Sequence, residues 1–190
     1  EQLGRTIDTA VQEEQKGTGH AVQCAMEALQ GFEGTVVVTN ADVPLLSPET
    51  LQELSATHNG ASVTVLSVHQ DNPTGYGRIL RTNDGMVTAI VEEKDATEEQ
   101  KAINEVNSGV FAFDAAILRD GLAQLNTDNA QGELYLTDVL SIARSAGHPV
   151  RAHIAADAAE LAGVNDRVQL AAAGAELNRR TVTTAMRGGA

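Results

Sequence analysis

The sequence predicts an α/β fold: a mixed, mostly parallel sheet flanked by helices and carrying a β-hairpin insertion. Three observations predict it. Short β-branched runs alternate with stretches of helical periodicity, the order expected of a parallel sheet covered by helices. Asn83-Asp84-Gly85 lies between two strand-like runs, a strong hairpin signal that interrupts the alternation. At 190 residues, the chain is long enough for one well-cored α/β domain and too short for two.

Thr6 to Gln12 reads as a short strand, followed by the loop Glu13 to Gly19 and a helix from about His20 to Leu29. Thr35 to Thr39 is a continuous β-branched run, the pattern of a fully buried, parallel strand. Ser47-Pro48 starts a helix, with Ser as N-cap and Pro at the first helical position, and Leu51 and Leu54 give it an apolar face. Val63, Val65, Leu66 and Val68 form the next strand. Arg78–Arg81 and Met86–Val91 are the hairpin arms, and Lys94 to Lys101 is a solvated helix or loop. Val106 to Phe113 is a strand, and Ala115 to Leu125 an amphipathic helix with Leu118, Leu122 and Leu125 on one face. Leu136 to Ala146 is a helix and Val150 to Ile154 a strand. Asn165 to about Thr184 is a long Ala-rich helix that frays into Arg187-Gly188-Gly189-Ala190.

Asp and Glu outnumber Lys and Arg 26 to 13, for a net charge of −13. That balance argues against a nucleic-acid backbone or an anionic membrane as partner. It also means that any bound phosphate needs cations from elsewhere, and a divalent metal is the natural supplier. With one cysteine, Cys24, no intrachain disulfide forms, and its setting among Val22, Met26 and Leu29 reads as a buried, inert thiol. The chain opens without a basic-then-apolar signal sequence and has no apolar run of membrane-spanning length, so the cytoplasm is the expected compartment.

Asp42 stands out by position. It follows the Thr35–Thr39 run, and Val43-Pro44 cannot continue a central strand, because Pro lacks a ladder donor. A carboxylate is thereby delivered to the C-terminal edge of a buried strand, where open α/β sheets bind ligands. Alone, Asp42 reads as a turn residue. Gly17-Thr18-Gly19 opens a helix, offering close backbone approach and unpaired N–H groups to an anionic ligand, although Thr18 as a plain N-cap is an equal reading. Gln12 has an amide suited to a base edge. Pro73-Thr74-Gly75-Tyr76-Gly77-Arg78 is a tight turn before a strand, and Glu92-Glu93 and Asn107-Ser108-Gly109 follow. Capping alone would account for Thr137 or Asp138, and for Asn165, which could equally present an oxygen to Mg²⁺.

In combination these segments are far more specific than any one of them. Gly17-Thr18-Gly19-His20-Ala21, Ala41-Asp42-Val43-Pro44-Leu45, Pro73 to Ile79, Ile90 to Ala96, Asn107-Ser108-Gly109 and Gly163-Val164-Asn165-Asp166-Arg167 occur in one order. From about Gly4 to Gln169 the chain resembles the uridylyltransferase domain of the bifunctional bacterial N-acetylglucosamine-1-phosphate uridyltransferases, the GlmU family. The resemblance implies a Rossmann-like nucleotide-diphospho-sugar transferase fold over residues 1–164. Residues 165–190 would be a C-terminal helix and tail leading towards an acetyltransferase domain.

The implied reaction joins UTP and N-acetylglucosamine 1-phosphate into UDP-N-acetylglucosamine, a cell-wall precursor, and releases pyrophosphate, with Mg²⁺ as cofactor. By motif, Gln12, Gly17 and Thr18 would hold uracil and ribose, and Asn40 and Ala41 would supply backbone contacts. Asp42 and Asn165 would ligate Mg²⁺. Gly77, Glu92 and Asn107 would hold the sugar, with Tyr135 and Thr137 lining its pocket. Two parts of the family pattern are absent: the opening strand with its Gly-rich, basic phosphate clamp, and the C-terminal β-helix through which relatives form homotrimers. The expectation is therefore an internal piece of a longer enzyme, inactive alone. The alternatives are another sugar-1-phosphate nucleotidyltransferase, or a non-catalytic nucleotide-sugar-binding module.

Overall fold

The computed structural model describes residues 7–189. Its sheet has six strands: β1 (Thr35–Val38), β2 (Val63–His69), β3 (Arg78–Arg81), β4 (Val87–Val91), β5 (Glu105–Asp114) and β6 (Val150–Ile154). They run in the order β4-β3-β5-β2-β6, with β1 joined to β5. β2 occupies one edge of β5 from Phe113 down to Glu105. β1, which pairs Val36 with Phe113 and Val38 with Phe111, and β3, which pairs Arg78 with Val106, must therefore share the other edge, end to end. Between them, among the described residues, a stretch of that edge has no strand beside it. This gap is the architectural feature that places the site.

β5 is not regular across the gap. Three residues of β2, Val65 to Ser67, oppose five of β5, Phe111 to Asn107, so β5 bulges around Ser108-Gly109-Val110. The bulge is held locally. The Gly109 N–H donates to Asn107 Oδ1 at 2.9 Å, the Val110 N–H to Ser108 Oγ at 3.2 Å, and the Ser108 hydroxyl to the Leu66 carbonyl at 2.6 Å. Gly109 has φ +80°, a conformation that side chains with a Cβ rarely adopt.

Both faces of the sheet are covered. Val63, Val65, Phe111 and Phe113 point to α1 (Thr18–Glu27), α4 (Ala115–Leu122) and α5 (Asp138–Ser145), where they meet Leu118, Leu122, Val139 and Leu140. Leu66, Val68, Val110 and Ala112 point the other way, to α2 (Pro48–His58) and a 3₁₀ turn at Ala158–Leu161, where they meet Leu54 and Leu161. The period-2 alternation of β2 and β5 thus feeds two cores. α2 begins as its sequence dictates, with Ser47 Oγ accepting from the Thr50 N–H at 3.1 Å and Pro48 at the first position. The short α3 (Glu98–Lys101) carries a Thr97–Gln100 capping box.

The hairpin forms at Asp84-Gly85 as its sequence predicts, and the fold class holds, but three expectations change. The ladder is mostly antiparallel: β2–β6 is the parallel pair, and β1–β5, β2–β5, β3–β4 and β3–β5 are antiparallel. β1, β2 and β6 do share a direction, but β5 runs against them and inserts between β1 and β2. β1 is half-exposed rather than fully buried, with Val37 at 48% exposure, because among the described residues only β5 pairs with it. Ile7 to Gln12 form no strand, and Thr6 lies outside the described residues. Cys24 is half-buried, its Sγ 3.8 Å from His20 Nε2.

The last helix, α6 (Arg167–Arg187), is capped by Asp166 in a box with Gln169 and buries none of its residues. Arg180 fastens it: the guanidinium reaches Glu176 at 2.8 Å, the Leu45 carbonyl at 3.0 Å and Asp157 at 3.4 Å. Among the described residues, no helix is long and apolar enough to cross a membrane.

Candidate active site

The gap in the β5 edge opens into a cleft of about 480 Å³. Each wall follows from the fold. The chain leaving β1 brings Asn40, Asp42 and Val43; the turn entering β3 brings Thr74 to Gly77; the end of β4 brings Glu92; the bulge brings Asn107, Ser108 and Gly109. Thr18 at the start of α1, Leu136 and Thr137 before α5, and Gly163 and Asn165 before α6 close it. Of the residues singled out in the sequence, Thr18, Asn40, Asp42, Gly77, Glu92, Asn107, Thr137 and Asn165 line this cleft. Gln12, Gly17, Ala41 and Tyr135 stand behind it.

Gln12, Gly17 and Tyr135 have structural tasks in this arrangement. The Gln12 amide donates to the Gly17 carbonyl at 3.2 Å and contacts His20 Nδ1 at 3.1 Å. The Gly17-Thr18-Gly19 backbone packs on the segment before α5. The Gly19 N–H donates to the Leu134 carbonyl at 2.8 Å, and a Cβ on Gly17 would stand 2.6 Å from that same oxygen. Thr18 Oγ1 accepts from the Leu136 N–H at 3.1 Å instead of capping α1. The presumed ligand loop is therefore stapled to the wall that carries Thr137. The Tyr135 ring is buried, and its hydroxyl accepts from Gln131 at 2.9 Å and donates to Asp95 at 3.3 Å. Ala41 is exposed beside Asp42.

Asp42 and Asn165 come together across Gly163. A Cβ built on Gly163 would lie 3.5 Å from Asp42 Oδ2 and 3.7 Å from Asn165 Nδ2, and the Val164 N–H donates to the Asp42 carbonyl at 2.8 Å. Asp166 caps α6, so the Asn165 amide is not spent on capping. A carboxylate and an amide are oxygen donors of the kind a hard divalent cation takes, and Mg²⁺ is often held by few protein groups plus substrate phosphates. The pair fits such an ion, with the remaining positions left to phosphate and water. Among the described residues no cluster of three or more His, Cys, Asp or Glu is placed to hold a metal by itself.

Glu92 forms the opposite wall. Its Oε1 accepts from the Thr137 hydroxyl at 3.0 Å, and its two carboxylate oxygens would lie 3.3 and 3.2 Å from a Cβ on Gly77. Thr137 sits at the α5 N-cap position but makes no capping bond, so capping does not account for it. Burial raises the Glu92 pKa above the usual carboxylate range; the Thr137 hydrogen bond pulls it down, and Asp138 and Asp95 push it further up. Burial and Asp95 also raise Asp138. Among the described residues no Lys or Arg lines the cleft. Arg78, the cation nearest in sequence, is 1% exposed; it pairs with Glu93 at 2.6 Å and donates to the Tyr76 and Lys101 carbonyls. It braces the Pro73–Gly77 turn and does not face a ligand.

Sequence reasoning missed Gly109 as a site residue. A Cβ there would collide with Asn40 Nδ2, so the amide lies directly on the bulge. A glycine inside an apolar strand pattern was the available signal. Val43 and Thr74 stood inside quoted motifs without being singled out, and Phe111 and Leu161 carried no signal, since only the tertiary packing brings them to the cleft.

Residues 1–159 match the nucleotidyl transferase family. The chain is 92% identical over 190 residues to the bifunctional protein GlmU of Corynebacterium jeikeium (strain K411), covering 100% of this chain and 39% of that protein. It is 59% identical over 188 residues to the bifunctional protein GlmU of Mycobacterium sp. (strain KMS), covering 98% and 38%. The chain thus spans well under half the length of these curated relatives. Among solved structures, a UDP-glucose pyrophosphorylase complexed with UDP-glucose aligns with TM-score 0.59 and 21% identity, over 72% of this chain and 53% of that one, a likeness of fold.

Proposed function

The chain belongs to the nucleotidyl transferase family, and we propose that its cleft serves uridylyl transfer from UTP to N-acetylglucosamine 1-phosphate, yielding UDP-N-acetylglucosamine and pyrophosphate. The observation that carries this reading is the meeting of Asp42 and Asn165 in a cleft that holds a half-buried carboxyl, Glu92, and, among the described residues, no Lys or Arg. A phosphate oxygen of the sugar phosphate attacks the α-phosphorus of UTP in line. The new P–O bond forms as the bond to the β-phosphate oxygen breaks, and pyrophosphate leaves. Such transfer depends on positioning and charge neutralisation more than on proton transfer.

This chain's residues divide the work. Asp42 and Asn165 hold Mg²⁺, which, when bound, neutralises charge on the phosphate oxygens. The Gln12–Thr18 loop, stapled to Leu134 and Leu136, holds uracil and ribose, with Asn40 and Ala41 beside it. Gly77, Glu92 and Asn107 receive the sugar, whose hydroxyl and amide groups find an acceptor in Glu92. Thr137 orients that carboxyl, and Tyr135 backs the wall. Residues 1–164 form the transferase unit in this reading and 165–190 a linker, with a cytoplasmic location and a homotrimeric parent enzyme.

Calorimetry on this chain tests the binding half. UDP-N-acetylglucosamine should bind more tightly than UDP-glucose or dTDP-glucose, and more tightly with Mg²⁺ than without. Equal affinity for all three would point to another sugar-1-phosphate nucleotidyltransferase. Binding indifferent to Mg²⁺ would point to a non-catalytic module. Turnover is read as pyrophosphate release by a chimera in which this sequence replaces the matching region of the Corynebacterium jeikeium protein; no Mg²⁺-dependent release from UTP and N-acetylglucosamine 1-phosphate would overturn the proposal.

A further inference from the structure

The buried Arg78 guanidinium joins three segments that the sequence keeps apart. NH1 donates to the Tyr76 carbonyl in the turn before β3, and Nε and NH2 reach the Lys101 carbonyl at the end of α3 at 3.4 and 3.3 Å. NH2 also pairs with Glu93 Oε2 at 2.6 Å, just past the end of β4. A buried cation persists only where its charge and its N–H groups find partners, and Glu93 supplies the countercharge. The guanidinium in turn holds the Glu93 carboxyl below the usual carboxylate range, against the push of burial and with the Gly75 N–H adding to the effect.

Two of these anchors adjoin the cleft. Tyr76 and Gly77 line it, and so does Glu92, the residue before Glu93. Glu92 turns to Thr137 and Glu93 to Arg78, so consecutive carboxylates serve opposite sides of one stretch of chain. Gly77 stands between turn and strand. Its carbonyl accepts from the Asn107 N–H at 2.8 Å, and the Glu92 oxygens lie 3.2 and 3.3 Å from where its Cβ would be. A slide of the turn against the end of β4 would therefore open or close the space between Gly77 and Glu92. Arg78 holds both sides of that space, through Tyr76 and through Glu93.

We propose that Arg78 and Glu93 form a positioning pair that sets the width of the sugar half of the cleft, acting through Gly77 and Glu92 and touching no substrate. This rests on the assignment of Gly77, Glu92 and Asn107 to the sugar. Arginine suits the task by shape as well as charge: its planar fork reaches a carboxylate and two carbonyls at once, which the point charge of a lysine on a flexible stem does not. The nucleotide half is fastened elsewhere, to Leu134 and Leu136, so the pair should act on one substrate and spare the other.

Two measurements test this. Glu93→Gln keeps an acceptor oxygen and leaves Arg78 its two carbonyls. In the ¹⁵N-labelled chain it should shift the amides of Gly77 and Asn107, neither adjacent to residue 93 in sequence, and leave those of Thr18, Gly19 and Asn165 unmoved. In the chimera, Arg78→Lys and Glu93→Gln should each raise KM for N-acetylglucosamine 1-phosphate about tenfold, the scale of one hydrogen bond to a charged group, with kcat and KM for UTP within about twofold. The double variant should lose no more than the worse single one, because the pair acts as a unit. A brace without bearing on the site would lower the melting temperature and leave both KM values alone. That result, an equal rise in both KM values, or unmoved Gly77 and Asn107 amides would overturn the positioning pair. A wild-type chimera silent towards UTP and N-acetylglucosamine 1-phosphate is a different failure: if the two amides still shift, the hold on Gly77 stands and the identity of the ligand falls.

Discussion

The two ends of the β3–β4 hairpin differ in what they carry and in how tightly they are built. At the end where β3 begins beside Gly77 and β4 ends beside Glu92, the gap cleft has Asp42, Glu92 and amides and, among the described residues, no Lys or Arg, on a β5 bulge against which Asn40 is packed. At the other end Arg81 is paired with Glu105 and fixes the turn, and Gly85 has nothing within 4 Å of where a Cβ would stand. Polar groups without a cation gather at the first end, whereas at the second the cation is spent on the turn.

The largest effect expected concerns the metal. Asp42→Ala should lower pyrophosphate release in the chimera by about 10²–10³-fold, as losing one essential electrostatic contact does elsewhere, and should abolish the gain in UDP-N-acetylglucosamine affinity that Mg²⁺ gives this chain. Undiminished release, or an undiminished Mg²⁺ effect on affinity, would remove Asp42 from the metal site.

Packing is next. Gly109→Ala meets both a φ of +80° and the Asn40 amide, whereas Gly85→Ala meets φ +83° and open space. The first should cost about 2–3 kcal/mol and the second about 1 kcal/mol. Urea unfolding of the two variants checks the order; equal losses would mean that the bulge is no tighter than the turn.

Thr137→Val keeps shape and removes the hydroxyl that Glu92 accepts from. KM for the sugar phosphate in the chimera should rise about tenfold, the value of one hydrogen bond to a charged group, with KM for UTP little changed. A rise confined to UTP would move Glu92 and Thr137 to the nucleotide side.

The smallest effect is in pH dependence, and it has opposite signs in the two regions. Burial raises the folded pKa of Glu92, so its stabilising contribution is present below the usual carboxylate value and fades as pH rises through the higher folded one. For Glu105, burial pushes up, but hydrogen bonds from Arg81 and Ser67 outweigh it and hold the pKa low. Its contribution is present above the usual value and is lost as pH falls through the lower one. Stability curves should show Glu92→Gln removing a loss on the alkaline side of that range and Glu105→Gln removing one on the acid side. Glu105→Gln should also lower stability at neutral pH, because Arg81 loses its charged partner.

The Ser47-Pro48 helix start, the Asp84-Gly85 hairpin and the strands at Val63, Val106 and Val150 were legible because each rests on local periodicity, a cap or a turn. Asp42, Glu92, Asn107 and Asn165 were legible from motifs in order. Thr137 was legible as a residue but not in its task, since capping and a bond to Glu92 look alike until β4 and α5 are placed. Arg78 marks the limit of such motifs, because adjacency to one says nothing about burial.

Local chemistry in the sequence thus determined which segments become helices, strands and turns, and which polar residues stand at their ends. Tertiary structure alone decided that β5 inserts between β1 and β2, leaving β1 half-exposed and the ladder mostly antiparallel. It decided that β1 and β3 share one edge of β5 with a gap between them, and that Arg81 pairs with Glu105 while Arg151 reaches the carbonyls at the end of α2. The physical reason is the same throughout. Helices, caps and hairpins are made by bonds between near neighbours, so short windows contain their causes. A strand's partner is chosen by competition among every available edge and apolar face in the chain, and no window contains that competition.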